Sequence, residues 1–211
     1  MSNIRLSRLL LVTVGTILMG VGIELIVLAD QGFDSVSTLI IGLMNVLSIP
    51  FVRWSQLLSV LFLLITFLYK RSMLGIGSLI NTFLVGETIS CVALLFQSWS
   101  WLQGNVYFSF LGFVIMALGT ALYLLAELGS GPLEGLMFCV CDKLSISLQK
   151  GRIALDFFIL TCGFLLGSSL GVGTIMAVFF LGPMIQGFLT FLQKINSLAL
   201  FQRQKSKRLS E

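Results

Sequence analysis

Histidine is absent from the 211 residues, and only 10% of them are charged. Soluble domains carry about a quarter charged residues, so this composition excludes an ordinary soluble protein. Without histidine the chain lacks the commonest general base and the commonest metal ligand. Walker A, G-x-S-x-G and H-E-x-x-H motifs are missing as well. We therefore expect no enzyme activity, no metal site and no cofactor.

Cysteine and proline are also scarce, with four and three copies. The cysteines all lie in apolar stretches, and none belongs to a C-x-x-C pair, which excludes the common zinc and disulfide frameworks. We interpret them as small residues that pack inside a membrane protein. They are Cys91, Cys139, Cys141 and Cys162.

Apolar residues are abundant, at 57% of the chain. Several apolar runs exceed the length of about 18 residues that predicts a membrane-spanning helix. The first run continues to Ala29 with no cleavage site, so we expect a retained helix rather than a signal peptide. The predicted fold class is an all-α integral membrane protein. Long runs lie at 6–28, 54–69, 73–97, 106–128, 153–169 and 174–194, and short ones at 36–48 and 133–146.

Both halves of the chain show the same order of long and short runs, and they share several glycines. The phrase LGIGSLINTFLVG at 74–86 returns as LGVGTIMAVFFLG at 170–182 with its glycines in register. Earlier in each half, matching residues stand 97 positions apart, as Gly15 and Gly112 do. Leucine matches are common in an apolar chain, whereas glycine matches at fixed spacing are not. We predict a first membrane repeat at 1–104, a second at 105–200 and a basic cytoplasmic tail at 201–211.

The two short runs decide how the repeats are oriented. Crossing a bilayer takes about 20 residues, whereas stretches of 10–14 are more often re-entrant or interfacial. If the short runs do not cross, each half has three spans, and the odd number inverts the second half. The predicted chain then has six transmembrane helices and two short re-entrant or interfacial helices, built as two three-span inverted repeats. Eight spans with a parallel repeat are the alternative.

The basic residues favour the six-span arrangement slightly. With the N-terminus inside, this arrangement puts every lysine and arginine except Arg53 on the cytoplasmic face, which is twelve of the thirteen. The eight-span alternative places Lys70 and Arg71 outside and brings Arg53 inside. Both arrangements predict a multi-pass cell-membrane protein with two cytoplasmic termini.

Longer phrases of the sequence resemble a known family. The elements GVGIELIVLADQG and GTALYLLAELGSGPLEGLM, together with LGIGSLIN and LGVGTI, resemble the YczE-like bacterial membrane proteins, which are related to the YitT-type group. The first half departs from the family, because it has QGFDS where a glycine followed closely by proline is usual. The resemblance implies a multi-pass, permease-like protein and implies no substrate.

Glycines of the repeated phrases are the first candidate site. Glycine lets another backbone approach closely, so packing is the simpler interpretation. The alternative is a broken or flexible helix beside a substrate path, which Pro183 supports because proline removes a helix hydrogen bond. The six glycines are Gly75, Gly77, Gly86, Gly171, Gly173 and Gly182.

Two loops that precede the short helices are the second candidate. A helix N-terminus presents free N–H groups and suits an anion or a carboxylate substrate. Alternatively, Asp34 and Ser35 simply cap their helix. The loop residues are Gly32, Asp34, Ser35, Gly129, Gly131, Pro132 and Glu134.

Acids inside predicted spans are the third candidate, because a charge at bilayer depth is costly and usually faces a pathway or a bundle interior. Glu87 lies near the middle of its run, and Glu24 lies nearer an end. We expect them to bind a coupling proton or cation, with Asn81 nearby on the helix of Glu87. Asp156 is placed to pair with Arg152, four residues before it. Packing roles are the alternative for all of these residues.

These features favour a small multi-pass transporter whose site lies between two inverted repeats and whose substrate is unknown. The small size of the chain also favours a homodimer. The alternative is a membrane-embedded accessory or scaffold protein that binds another membrane or cytoplasmic protein. The basic tail marks a cytoplasmic face that touches anionic lipid. We therefore expect the lipid bilayer as a partner and no nucleic acid.

Overall fold

The computed structural model describes residues 2–96 and 99–209, with the side chains of 6–96, 99, 101–147 and 150–195. The side chains of the predicted basic tail lie outside that range. Throughout the described residues the chain is helical, with no strands. The prediction of an all-α protein is confirmed.

Nine α-helices follow one another along the described chain. They are α1 Ser2–Ala29, α2 Ser35–Val46, α3 Phe51–Lys70, α4 Ile76–Phe96, α5 Val106–Leu125, α6 Pro132–Leu144, α7 Leu148–Leu165, α8 Val172–Met176 and α9 Gly182–Leu209. A π-helical segment, Ala177–Leu181, joins α8 to α9. The join lies just before Pro183, whose missing N–H leaves an α-helical carbonyl without its partner. The break expected there is therefore a local change of helix type.

Five stretches of the described residues are long and apolar enough to cross a membrane. They are Leu6–Ala29, Phe51–Met73, Ile76–Phe96, Val106–Leu125 and Val172–Ile195. The remaining predicted span, at 153–169, corresponds to α7. This helix carries Lys150, Arg152 and Asp156 and is not among the five. With 12 and 13 residues, α2 and α6 are shorter than a typical span. Six spans therefore remain a prediction.

α1 and α5 form the central pair of helices. A Cβ atom on Gly15 would lie 2.7 Å from the Gly119 oxygen, and one on Gly22 would lie 2.6 Å from the Gly112 oxygen. Residue numbers rise along α1 while those of the contacting residues on α5 fall, so the two helices are antiparallel. Glycine allows this approach because any side chain would meet the opposite backbone.

Each short helix packs on a long helix from the other half of the chain. On one side α2 packs on α7, where a Cβ on Gly163 would lie 2.7 Å from the Thr38 oxygen. On the other side α6 packs on α3, where a Cβ on Gly135 would lie 2.8 Å from Thr66 Oγ1. Buried apolar residues of all four helices, such as Ile40, join in one core cluster. This layer brings the starts of α2 and α6 together.

The loops that follow α1 and α5 are held by the opposite half. The Gly77 amide donates to the Leu128 oxygen at 2.9 Å, and the Gly173 amide donates to the Gln31 oxygen at 2.7 Å. Both loops then turn through left-handed glycines, Gly32 with φ 101° and Gly129 with φ 122°. Each short helix therefore begins at a point fixed by the other half.

Candidate functional site

A cavity of about 80 Å³ lies where α2 and α6 begin, with room for several water molecules. Residues from both halves line it, including Asn81 of α4, Thr120 of α5 and Ser55 of α3. Asp34, Glu134 and Arg152 bring charge to a lining that is otherwise largely apolar or hydroxyl-bearing. The cavity is thus a shared feature of the two halves.

Asp34 defines the α2 side of the cavity. It is the N-cap of α2, and its Oδ2 accepts a hydrogen bond from the Ser37 amide at 3.3 Å. Its residue exposure is only 4%. The second oxygen, Oδ1, is buried and has no hydrogen-bond partner among the described residues. Of the two sequence interpretations, capping therefore holds for Asp34, but capping uses only half of its carboxylate.

The start of α6 is built differently. Its N-cap is Gly131, which has no side chain to cap the helix. Pro132 occupies the first helical turn, where it has no N–H to satisfy. Glu134 supplies the acidic group of that turn and is buried. The Glu134 carboxylate folds back against Gly131, where a Cβ atom would collide with it. Glycine at this position thus lets the acid lie over the helix start.

Arg152 of α7 joins the two helix starts. Its Nε donates to Asp156 Oδ2 at 2.7 Å, and its Nη1 lies 3.8 Å from Glu134 Oε1. Asp156 Oδ1 in turn accepts a hydrogen bond from Ser35 Oγ at 2.5 Å. The predicted pairing of Asp156 with Arg152 is confirmed. Arg152 was expected among the cytoplasmic charges, yet only 17% of its side chain is exposed, because its acidic partners hold it inward.

The electrostatics of the cavity are dominated by burial. Loss of solvent raises the pKa of Asp34, and the nearby Asp156 carboxylate raises it further. The hydrogen bonds from Ser37 and the Arg152 guanidinium oppose this shift without overcoming it. The surroundings of Asp34 therefore favour its protonated form.

Of the polar residues predicted inside the spans, Asn81 lines the cavity, whereas the acids Glu24 and Glu87 do not. Asn81 lines the cavity, and its Nδ2 donates to Thr16 Oγ1 at 3.4 Å. Glu24 is buried but does not line the cavity. Glu87 is exposed on α4 and accepts a hydrogen bond from Gln56 Nε2 at 3.1 Å. Their predicted role as proton or cation ligands stays a prediction, now placed away from the cavity.

The repeated glycines mostly support packing. A Cβ on Gly75 would collide with the Leu128 carbonyl, and one on Gly171 would collide with the Gln31 carbonyl. A Cβ on Gly86 would lie 3.1 Å from the Gln56 side chain, whereas a Cβ on Gly182 would have no atom of the described residues within 4 Å. Gly182 therefore follows the π segment without a close neighbour.

The sequence analysis missed Arg152, Ser55 and Ser59 as cavity residues. A signal was available, since Ser55 and Ser59 stand 97 positions before Arg152 and Asp156, and the four-residue spacing is the same. Polar residues at matching places in two apolar helices indicate one shared polar surface. No group of three metal-ligating side chains occurs in the searched, described part of the chain. The arrangement can therefore hold a small polar ligand through carboxylate and hydroxyl oxygens.

Comparison with known proteins gives relatives without an assigned function. The model of a family of unknown function, DUF6198, matches residues 6–190. An uncharacterized protein of Haemophilus influenzae is 28% identical over 178 residues, covering 84% of this chain and 81% of that protein. The uncharacterized membrane protein YczE of Bacillus subtilis is 28% identical over 134 residues, covering 64% and 62%. The uncharacterized protein YyaS of Bacillus subtilis is 22% identical over 184 residues, covering 86% and 92%.

No solved structure matches the chain. The resemblance to YczE-like proteins is confirmed. Together with the apolar helices, it makes this chain a membrane protein.

Proposed function

The chain belongs to the DUF6198 family of unknown function, and we propose that it is a small transporter with a substrate site between two inverted halves. The observation that carries the proposal is the cavity at the starts of α2 and α6. Transporter sites commonly lie at a repeat interface, where interrupted or short helices end near the middle of the membrane. Here both halves contribute lining residues, and Arg152 pairs with the buried Glu134 and Asp156 while the buried Asp34 lines the same cavity.

Reciprocal contacts support the inverted repeat. In the α1–α5 pair, Gly15 meets Gly119 and Gly22 meets Gly112. Gly112 and Gly119 stand 97 positions after Gly15 and Gly22. Exchanging the two halves therefore turns the contact of Gly15 with Gly119 into the contact of Gly112 with Gly22. Such isologous contacts are what a two-fold axis generates. The helices run antiparallel, which is the arrangement that two inverted halves require.

The proposal counts α7 as the sixth span. Its three charged residues lower its apolar character, but two of them, Arg152 and Asp156, pair with each other. A paired, inward-facing charge is the form in which ionisable residues occur inside membranes. Both termini then lie in the cytoplasm, and α2 and α6 reach the cavity without crossing.

A homodimer is part of the same proposal. Glu87 lies in the middle of α4, on a face that the single chain leaves exposed, and Gln56 is its hydrogen-bond partner. A carboxylate facing lipid at this depth would cost several kcal/mol. A second copy covering this face would remove the cost.

Topology is the first test, in a variant whose four cysteines are replaced by alanine. Single cysteines at Arg71 and Trp101, both exposed, are labelled from each side of intact cells. The inverted arrangement expects Arg71→Cys to react from the cytoplasm and Trp101→Cys from outside. The opposite result means that the short helices cross and removes the inverted repeat.

Access to the cavity is the second test, and it needs no knowledge of the substrate. Ser59→Cys lines the cavity, whereas Leu61→Cys on the same helix is exposed to the bilayer. A small, membrane-impermeant thiol reagent should modify Ser59→Cys from either side of the membrane and leave Leu61→Cys unmodified, since a thiol in lipid does not ionise. Modification from one side only, or from neither, contradicts a transport pathway through this cavity.

A further inference from the structure

The charges at the cavity do not balance. Asp34, Glu134 and Asp156 are three carboxylates, and among the described residues Arg152 is the guanidinium that pairs with Glu134 and Asp156 and acts on Asp34 through its charge. When all are ionised, the sum of −3 and +1 leaves a formal charge of −2. An uncompensated charge buried in a protein is strongly unfavourable. The site therefore needs protons or a cation from outside.

Arg152 is already committed to two of the three acids. Its Nε holds Asp156 at 2.7 Å, and its Nη1 approaches Glu134 at 3.8 Å. Asp156 also receives the Ser35 hydroxyl. Asp34 has no such support for its Oδ1, which is buried and without a partner among the described residues. A buried acceptor that lines a cavity is a place for a ligand that donates hydrogen bonds.

The positive ends of the two short helices do not reverse this preference. A helix N-terminus attracts an anion, but each of these already has an acid from the chain itself. Asp34 caps α2, and Glu134 lies in the first turn of α6. An anionic ligand would have to displace them or lie against them, so the anion interpretation of these loops is disfavoured.

The rest of the lining distinguishes an organic cation from a metal ion. Hard metal ions take six or more oxygen ligands. The cavity instead offers apolar and aromatic surface, such as Met116, Phe51 and Phe62, beside the Ser55 and Ser59 hydroxyls. Aromatic faces also attract ammonium groups. An ammonium with a short apolar body matches this mixture.

We propose that the cavity binds a small organic cation, of the primary alkylammonium class, whose ammonium group is held by Asp34 Oδ1 beside the Glu134 carboxylate. The inference rests on the proposed function, because it assigns a substrate class to that site. A proton and the ammonium compete for Asp34, so binding weakens as the pH falls. Asp156, Arg152 and Glu134 are the charged neighbours that set this competition.

The test uses purified full-length protein in detergent with propylammonium chloride as the probe. We expect propylammonium to raise the unfolding temperature at pH 8, with a smaller rise at pH 5. Sodium propionate and sodium chloride at equal ionic strength should give no such rise. Stabilisation by propionate or by sodium chloride alone, or no response to propylammonium, overturns the inference.

Two matched variants locate the effect. Asp34→Asn keeps the helix cap, because asparagine caps as well as aspartate, and should lower the propylammonium affinity by about tenfold or more. Asp30→Asn is the control, since Asp30 is exposed and asparagine tolerates its left-handed φ of 49°. Equal affinity in Asp34→Asn and the unsubstituted protein places the cation elsewhere and overturns the inference.

The cysteine access experiment separates the two proposals. If Ser59→Cys reacts from both sides and propylammonium does not bind, transport stands and the substrate class is wrong. If propylammonium binds through Asp34 but Ser59→Cys reacts from one side only, the cation site stands and transport is wrong.

Discussion

α3 and α7 face the cavity from opposite halves of the molecule, and they do so with different chemistry. Where α7 carries Arg152 and Asp156, α3 carries Ser55 and Ser59 at the positions 97 residues earlier. Both helices also support a short helix, α6 on α3 and α2 on α7. The two helices thus support the short helices in the same way, but of the two only α7 brings a charged side chain to the cavity.

This difference separates the contacts between helices from the lining of the cavity. Close glycine contacts restrict the residues where backbones touch, because no larger residue fits there. Side chains that face the cavity are free of that restriction. On α7 they join the starts of α2 and α6 through Arg152, and on α3 they leave hydroxyls beside open space.

The substitution with the largest expected effect on this comparison is Arg152→Met, which removes the guanidinium of α7. Asp156 and Glu134 would then be buried without their cation, and losing one partner of a buried pair costs about 3–5 kcal/mol. We expect a large fall in the unfolding temperature in detergent. Ser55→Ala, the change at the matching place on α3, should have little effect. A second change, Asp156→Asn, should restore part of the loss, and equal effects of Arg152→Met and Ser55→Ala would contradict the comparison.

The frame itself is tested by Gly173→Ala. A Cβ there would collide with the Gly32 carbonyl, so the loop of the first half must move. Overpacking of this kind costs about 1–3 kcal/mol. Gly182→Ala is the control, because no atom in the described part of the chain lies within 4 Å of its Cβ position and alanine favours helix. The unfolding temperature should fall for Gly173→Ala alone, and an equal fall in both variants would refute the packing role.

Asp34→Asn tests the first-half side of the cavity through the pH dependence of the unfolding temperature. The native pKa of Asp34 is raised from its ordinary value of 3.8, so the folded state holds this proton more tightly than the unfolded chain. The stability that Asp34 contributes is therefore full below pH 3.8 and is lost as the pH rises through the native pKa. Asparagine cannot ionise, so the variant should gain in unfolding temperature relative to the unsubstituted protein between pH 4 and pH 8. A constant difference across this range would mean that Asp34 is not shifted.

The smallest expected effect is that of Glu87→Gln. Glu87 is exposed and makes one hydrogen bond, to Gln56. Glutamine retains an acceptor for that bond and carries no charge into the detergent or lipid, so the substitution removes no favourable interaction of the monomer. The unfolding temperature of the monomer in detergent should hardly change, whereas Asp156→Asn should lower it. A loss for Glu87→Gln as large as that for Asp156→Asn would place Glu87 inside the folded core.

Sequence periodicity predicted most of the frame. The helices could be predicted because the length of an apolar run is read directly from consecutive residues. The start of α2 at Ser35 follows from the preference of aspartate, here Asp34, for the N-cap position. Asn81 was named, and the structure places it at the cavity. The partners across the molecule were not predictable in the same way. Ser35 and Asp156 are 121 positions apart, and no local pattern states that they meet.

The inward or outward direction of an acid was also beyond a single helix pattern. Glu87 lies in α4, whose buried residues include Gly86 and Thr88 on either side of it. The apolar residues of α4 are spread around the helix and are not gathered on one face, so amphipathicity could not tell which face meets lipid. Only the packing of α3 and α1 on α4 decides this.

The reciprocal loop contacts have a consequence for synthesis of the chain. The Phe33 amide donates to Thr174 Oγ1, a residue made 141 positions later. At about 5–20 residues per second, the ribosome takes roughly 7–28 seconds to cover that distance. During this time the first half is in the membrane without the groups that fix the loop after α1. The loop at Gly32 thus gains its bonds to Gly173 and Thr174 only when the last helices arrive, and the cavity is completed late in assembly.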